Sequence, residues 1–277
     1  MPVIAITQEM GSLAKDVGMQ LADALKLDTM RHEVVERLSE KMNMPKSVIR
    51  RLREGKAGIV ERLTTDRQKI AVYSAEEVFE LANRGNIVLR GWGATCMLRP
   101  VPHVVGVRIT RSFEKRVDWL MENLGTDDRG FAEDEIRRSD EAHAARMHQQ
   151  FGVTWGDPLL YDLVLNTDRV SVASCVELIT QLTRRPEFEE TEASRAMLAD
   201  MTLTARIRAA FKDNEATRDT KVTIESHGGH VSLQGIVISD AERGAAQQVA
   251  AAVQGVTGVD NQLRVMSTSR RFTSAKY

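Results

Sequence analysis

The sequence predicts an α/β protein: a parallel sheet covered by helices on both faces, followed by a smaller α+β unit. Three observations predict it. Short apolar runs without alternation, Val3-Ile-Ala-Ile6 and Ile87-Val-Leu89, read as strands buried on both faces. Such runs alternate with helical patterns as far as about residue 185, the rhythm of βαβ units. Beyond residue 199 the rhythm changes to half-buried strands joined by a Gly-Gly turn, the signature of a hairpin. Composition agrees. At 277 residues the chain is long enough for about two domains. Its 28% charged and 42% hydrophobic residues are an ordinary globular balance.

The first strand, Val3–Thr7, runs through Gln8-Glu-Met10 to a turn at Gly11 and Ser12. An amphipathic helix follows, with Val17, Leu21, Ala24 and Leu25 on one side. Strand, small-residue turn, lysine, helix is the layout of a phosphate-binding loop. The helix N-terminus offers unpaired N–H groups and the positive end of a dipole to an anion, and Lys15 adds a point charge. Of the G-x-x-x-x-G-K-[ST] pattern only Lys15 is present, because Glu9, Ala14 and Asp16 stand where Gly, Gly and Ser or Thr belong. From the residues alone, a phosphate loop and an ordinary strand–helix turn both stay open.

Residues 32–41 and 45–54 have helical periodicity and many charges. Ser74-Ala-Glu-Glu77 is a capping box that opens a helix through about Ala82, ended by Asn83-Arg-Gly85. Ile87–Arg90 is the second strand, Gly91-Trp-Gly93 the turn after it, and Pro102–Thr110 the third strand. Ser112 caps a helix over Phe113–Leu124. Residues 131–151 form a long charged helix, Leu160–Asn166 a fourth strand, and Ser171–Arg185 a helix with Val172, Val176, Ile179 and Leu182 inward. In such sheets ligands bind outside the carboxyl ends of the strands. That brings Gly11–Lys15, Gly91–Gly93 and the segment after Thr110 to one rim.

Around Pro186-Glu-Phe-Glu-Glu-Thr-Glu192 the pattern breaks into a short acidic stretch, so residues 186–199 are expected to be a linker. Then come a helix over 202–213, a strand over Lys221–Ser226, the turn His227-Gly-Gly-His230, and a returning strand over Val231–Ile238. Ser239-Asp-Ala-Glu242 is a second capping box, opening an Ala-rich helix that ends at Gly255. Val259–Val265 is a last strand, and residues 268–277 form a polar, flexible tail.

Charge and composition exclude several function classes. A net charge of −1 supplies no field to draw nucleic acid or anionic lipid. The N-terminal apolar run is too short, and lacks the basic lead, of a signal peptide. No segment approaches the roughly 20 apolar residues of a membrane span. Cys96 and Cys175 lie far apart in apolar surroundings and read as two buried thiols of a reducing cytoplasm, with a disulfide as the alternative. The six His and two Cys show no metal-ligand spacing, so no metal site is expected. His227 and His230 flank the hairpin turn without an accompanying carboxylate or Cys cluster.

Two families resemble parts of the chain. Residues 1–185 resemble the cytidylate-kinase-like family of P-loop nucleoside monophosphate kinases. The resemblance rests on Ile6-Thr-Gln-Glu-Met-Gly-Ser12, on Gly91-x-Gly93-Ala94, on Arg137-Arg-Ser-Asp140, and above all on Phe151-Gly-Val-Thr-Trp-Gly-Asp-Pro-Leu-Leu-Tyr-Asp-Leu-Val-Leu-Asn-Thr167. Residues 200–267 resemble a BON domain through Gly229-His-Val-Ser-Leu-Gln-Gly235, the Ala-rich helix and Gly255-Val-Thr-Gly-Val-Asp-Asn261. The first resemblance implies the P-loop kinase sheet, with ATP and Mg²⁺ as cofactors if the protein is active and none otherwise. The second implies self-association or ligand binding, with membrane contact possible in the family but unsupported by charge here.

Carried over residue by residue, the resemblance implies nucleotide or phosphate binding at Gly11, Ser12, Lys15, Asp16, Arg31, Arg90, Trp92, Arg137 and Asp140, with Lys15, Arg137 and Arg138 as candidate catalytic groups. Several positions depart from the family pattern. Leu13 and Ala14 replace loop glycines, so Cβ atoms stand where backbone approaches phosphate. Arg31 takes an acidic position, Trp92 takes the place of the Arg in Gly-Arg-Gly-Ala, and Glu141 and His143 take the places of two lid arginines. Arg146 is a further cation near the lid. The expected function is therefore a cytoplasmic protein that binds a nucleotide or other phosphorylated ligand, weak or inactive as a kinase, with a BON module for assembly or sensing. The alternatives are a working CMP or dCMP kinase with an accessory BON domain, and a structural protein in which both parts serve association.

Overall fold

The computed structural model describes residues 1–29, 33–54, 56–58, 61, 66–91 and 93–266. The chain divides into two compact units, Met1–Leu198 and Ala199–Tyr277.

Unit one is built on a five-stranded parallel sheet of β1 (Val3–Gln8), β2 (Asp28–Thr29), β3 (Ile87–Arg90), β4 (Val104–Thr110) and β5 (Leu163–Asn166). The strand order is β2-β3-β1-β4-β5. The central strand, β1, runs beside β3 with Val3 opposite Ile87 and beside β4 with Val3 opposite Val104. Its residues Val3–Ile6 are at most 1% exposed. Both faces must then be covered, which is why the run does not alternate. One face packs on α1 (Ala14–Leu25) and α8 (Val172–Leu182) through Ile4, Ile6, Val88, Val105, Val107, Ile109 and Leu165, with Val17, Leu21, Cys175 and Ile179 from the helices. Residues of the other parity, Val3, Ala5, Ile87 and Leu89, are equally buried.

The remaining helices of unit one are α2 (Glu33–Met42), α3 (Lys46–Glu54), α4 (Arg67–Arg84), α5 (Ala94–Met97), α6 (Phe113–Leu124) and α7 (Arg129–Phe151). α2 packs on α4, and α6 on α7. Gly93, at φ 76°, opens α5 with no side chain because a Cβ there would fall 2.6 Å from the Phe151 ring.

Several local expectations change. α4 starts at Arg67, because Asp66 caps it by accepting from the N–H groups of Gln68 and Lys69. Ser74 is thus interior, and its hydroxyl donates back to the Ile70 carbonyl at 2.6 Å. The stretch expected to run as a strand from Leu160 is a 3-10 turn over Pro158–Leu160, and pairing begins only at Leu163. Ala24 is exposed, and Ala14, Gly18 and Ala22 complete the buried stripe of α1 instead. Ser112 sits at the N-cap of α6, but its hydroxyl donates to Asp168 at 3.0 Å and leaves the helix without a side-chain cap. Cys175 is buried and Cys96 only partly so; both are free thiols, and burial pushes both thiol pKa values up.

The segment expected as a linker, residues 186–199, has secondary structure of its own. Residues 186–199 contain a 3-10 turn over Pro186–Phe188 and the start of α9 (Glu192–Asp213), which begins ten residues before the expected position. Thr191 and Ser194 exchange capping bonds, each backbone N–H donating to the other's hydroxyl at 3.0 and 3.1 Å. Ser194 is 3% exposed and lies 2.7 Å from His103 Nδ1, so this stretch belongs to a packed core.

Unit two contains the remainder of α9, a hairpin of β6 (Val222–His227) and β7 (His230–Val237), α10 (Asp240–Ala251) and β8 (Gly258–Val265). β6 pairs antiparallel to β7 and β8 parallel to it. Gly228 and Gly229 make the turn with φ 57° and 87°, the signs a tight hairpin requires. Ser239 caps α10 by accepting from the Glu242 N–H. Leu203, Ile207 and Phe211, spaced four apart on α9, meet Ile224, Val231, Leu233, Val237, Ala246, Ala250 and Leu263. The expected tail, residues 268–277, lies outside the described residues.

Candidate functional site

The carboxyl ends of β1, β4 and β5 converge at one rim. After β1 the chain turns at Glu9–Leu13, where the Ser12 N–H donates to the Glu9 carbonyl at 3.2 Å. Gly11 has φ 79°, and a Cβ there would sit 3.1 Å from the Cα, Cβ and carbonyl oxygen of Arg116. The first turns of α6 therefore lie directly on the loop. Leu13 holds a left-handed conformation, φ 63° and ψ 14°. Glycine adopts that geometry freely, whereas a side chain makes it cost about 1–2 kcal/mol. The loop carries that cost at Leu13.

Lys15 and Asp16 lie exposed on the first turn of α1, and Lys15 has no ion-pair partner among the described residues. Ser12 is 1% exposed and its hydroxyl has no hydrogen-bond partner among the described residues. Thr167, after β5, donates to the Ser12 carbonyl at 2.9 Å and ties the loop to the neighbouring strand end.

The centre of the rim is a set of buried charges. Arg108 and Arg116 are each 6% exposed. One oxygen of Glu9 accepts from the Arg108 guanidinium at 2.6 Å. The other accepts from the Thr110 hydroxyl at 2.7 Å and the Arg111 N–H at 3.2 Å, with Arg116 Nε 3.7 Å away. Arg116 also donates to both oxygens of Asp140, at 3.0 and 2.8 Å. Arg111 donates to the Gly11 carbonyl at 3.4 Å and lies 3.9 Å from Asp168. Burial pushes the Asp168 carboxyl up. Hydrogen bonds from Ser112 and the charges of Lys115 and Arg111 outweigh it and hold the group below the usual carboxylate range.

Arg108 points to the sheet face opposite α1, where its guanidinium lies 4.4 Å over the Trp155 ring. His143 stacks on that indole with centroids 4.2 Å apart. The indole N–H donates to Thr7 at 3.2 Å. Helix α7, the loop carrying Trp155 and the strands β1 and β4 thus meet at this indole.

The structure gathers some expected site residues and separates others. Gly11, Ser12, Lys15 and Asp16 form the loop as expected. Asp140 reaches the rim as the carboxylate that orients Arg116. Arg90 is half-buried at the end of β3; burial pushes its pKa down, and the Asp16 charge opposes this. Arg137 and Arg138 are exposed on α7. Arg137 lies 4.4 Å over the Phe113 ring and 3.8 Å from Glu133. Arg138 pairs with Glu135. Arg146 is largely buried, which lowers its pKa. Arg31 and Trp92 lie outside the described residues.

Sequence reasoning missed Glu9 as a hub and missed Arg108, Arg111 and Arg116 altogether. A signal existed: Arg108 interrupts an otherwise apolar strand, and a charge in a buried strand is rare unless it is paired. Among the described residues, no three His, Cys, Asp or Glu side chains are grouped to hold a metal ion. None of the described helices is long and apolar enough to cross a membrane.

Comparison with known proteins agrees with this architecture. Residues 3–169 match the cytidylate kinase-like family and residues 199–267 match the BON domain. Over 66 residues the chain is 35% identical to osmotically-inducible protein Y of Escherichia coli (strain K12), covering 24% of this chain and 33% of that one. The chain therefore spans about a third of the length of that relative. A crystal structure of an uncharacterized protein from Eubacterium ventriosum superposes with a TM-score of 0.53 at 19% identity, covering 67% of this chain and all of that one, and shares the fold. Shikimate kinase from Bacteroides thetaiotaomicron aligns with a TM-score of 0.43 at 16% identity, over 66% of this chain and 99% of that one. With the five-stranded parallel sheet, the loop after β1 and the match over residues 3–169, the chain belongs to the cytidylate kinase-like family and carries a BON domain after it.

Proposed function

We propose that unit one is a divergent binder of a nucleotide or other phosphorylated ligand, weak or inactive in phosphoryl transfer, and that the BON part serves assembly or ligand sensing. One observation carries this reading. The two most buried arginines of the rim are already matched by carboxylates, Arg108 by Glu9 and Arg116 by Asp140. Phosphoryl transfer depends on positioning and on cations that neutralise the moving group. Losing one such electrostatic contact costs about 3–4 kcal/mol of transition-state stabilisation. The exposed Arg137 and Arg138, turned to Phe113, Glu133 and Glu135, supply no obvious replacement.

The residues present fit a nucleotide in part. Ser12, with its unpartnered hydroxyl, and Lys15 would hold phosphate oxygens, and Asp16 would stand beside a magnesium ion. A magnesium ion would supply charge neutralisation at the phosphates. The free Lys15 and unpartnered Ser12 are also what favours the second reading, an active CMP or dCMP kinase. Turnover of purified protein with ATP and CMP or dCMP separates the two. A working kinase turns over at about 1–100 s⁻¹, and the divergent reading expects a rate far below that range. Calorimetric titration with ATP, CMP, dCMP and cyclic nucleotides is expected to find a binding partner without turnover. Absence of binding by any of them counts against the reading. A cytoplasmic location and self-association complete the proposal. Gel filtration before and after removal of residues 200–277 tests the association, which is expected to be lost with them.

A further inference from the structure

The sheet of unit two is covered on one face only. Ile224, Val231, Leu233, Val237 and Leu263 point to α9 and α10 and are buried. Residues of the other parity are mostly exposed, and the strand register sorts them into rows across the sheet. Glu225, Ser232 and Asp260 form an acidic row. Thr223, Gln234 and Gln262 form the next, a neutral one. In the third, Ile236 stands opposite Arg264, and Lys221, one residue before Val222, continues the alternation beside it. Ile238 and Met266 follow at the same end, where the Met266 N–H still donates to the Val237 carbonyl at 2.8 Å. Ile236, Ile238 and Met266 are 63%, 77% and 56% exposed. At the opposite end the His230 ring lies across Gly258, where a Cβ would come within 2.8 Å of its Nδ1.

We propose that this face docks on the same face of a second copy of the chain, strand over strand and antiparallel, about a two-fold axis passing by Gln234. The charges select both the partner and its direction. With the strands reversed, β6 lies over β6 and β8 over β8, and the acidic row of one copy meets the cationic row of the other. Glu225 then faces the second copy's Lys221, and Asp260 its Arg264. The two-fold repeats each pair, as an isologous interface requires. Ile238 and Met266 of one copy come over the flat His230 ring of the other. With the strands parallel instead, acidic row would lie on acidic row. An anionic surface would meet the carboxylates of this face as well as its cations, whereas a reversed copy meets every charge with its opposite. The face is three strands wide and about eight residues long, roughly 14 Å by 27 Å, the scale of a transient interface. Face-to-face packing with aligned strands is a standard way for two sheets to cover each other. The inference deepens the self-association reading and rests on it.

The test is sedimentation velocity of the full chain at micromolar concentrations. The wild type is expected to show a monomer–dimer equilibrium. Asp260→Arg and Arg264→Asp each set like charges against each other and are expected to weaken it about tenfold or more. An equal mixture of these two variants is expected to dimerise again, because the reversed charge at position 260 of one then meets the reversed charge at position 264 of the other. Both sites are exposed, so both variants are expected to melt with the wild type. If either does not fold, Glu225→Lys and Lys221→Glu provide the same mixture on β6. Ile238→Ser is expected to weaken association without rescue by mixing. Indifference to the charge reversals, or a mixture no better than its components, overturns the proposal. Association that is lost on removing residues 200–277 but ignores the reversals overturns this surface and leaves the self-association reading standing. A wild type that stays monomeric throughout overturns both.

Discussion

The two units bury different things. The described core of unit one contains Glu76, His103, Arg108, Arg116 and Glu135 alongside its aliphatic residues. Among the described residues of unit two, the buried polar side chains are Thr202, Thr217 and Ser226, and no charged one is buried. Burying a charge is costly unless it is paired and hydrogen-bonded. A fold that buries Arg108 and Arg116 at one rim takes on that cost there and offsets it with carboxylate partners. The described part of unit two takes on no such cost. Its ten-residue aliphatic and aromatic cluster is what a module needs simply to hold its shape.

The contrast predicts different responses to mutation. The largest effect is expected at Arg116. Truncation to Ala leaves Asp140 without its buried partner, and breaking such a pair typically costs about 3–5 kcal/mol. Urea denaturation of unit one is expected to show that loss, and a change below about 1 kcal/mol would mean that the rim charges are solvated and that the contrast is false. Next comes Leu233, fully buried in unit two. Leu233→Ala is expected to cost about 2–5 kcal/mol through lost burial and a residual cavity. Its transition is expected to be independent of salt, where that of unit one is not.

Ser239→Ala removes the hydroxyl that caps α10 and is expected to cost about 1 kcal/mol, visible as a small drop in the unit two transition. The smallest effect is a pH slope. Burial holds His103 below the 6.5 of a free imidazole, against the pull of Glu190. The unfolded chain then takes up the proton first, so stability is lost as pH falls through about 6.5 and regained above it. Melting curves between about pH 5.5 and 7.5 are expected to show this slope for the wild type and a flatter one for His103→Gln. Equal slopes would remove His103 from the account.

Much of the fold was legible because local rules and the tertiary structure agree. The apolar run at Val3–Ile6, the Gly-Gly turn at 228–229 and the capping box at Ser239 each fix a local geometry by themselves. The failures share one cause. Ser74 looks like a cap, but Asp66 caps the same helix earlier, and the Ser74 hydroxyl turns back onto Ile70. Ser112 looks like a cap, but Asp168 takes its hydroxyl. A linker was expected at 186–199, but His103, about 90 residues away, packs on Ser194. In each case a short polar side chain had several possible partners, and its surroundings in the folded chain decided among them.

The site divides in the same way. The sequence by itself determined the strand, the loop at Gly11 and Ser12, and the position of Lys15, because these follow from neighbours along the chain. Only the tertiary structure decided that Glu9, Arg108, Thr110, Arg111, Arg116 and Asp140 share one place, since Glu9 follows β1, 99 to 102 residues before Arg108 and Arg111, and Asp140 lies within α7. Hydrophobic periodicity records which face of an element is buried. Pairing between charges depends on distances of a few ångströms across the sheet, and only the folded chain sets those.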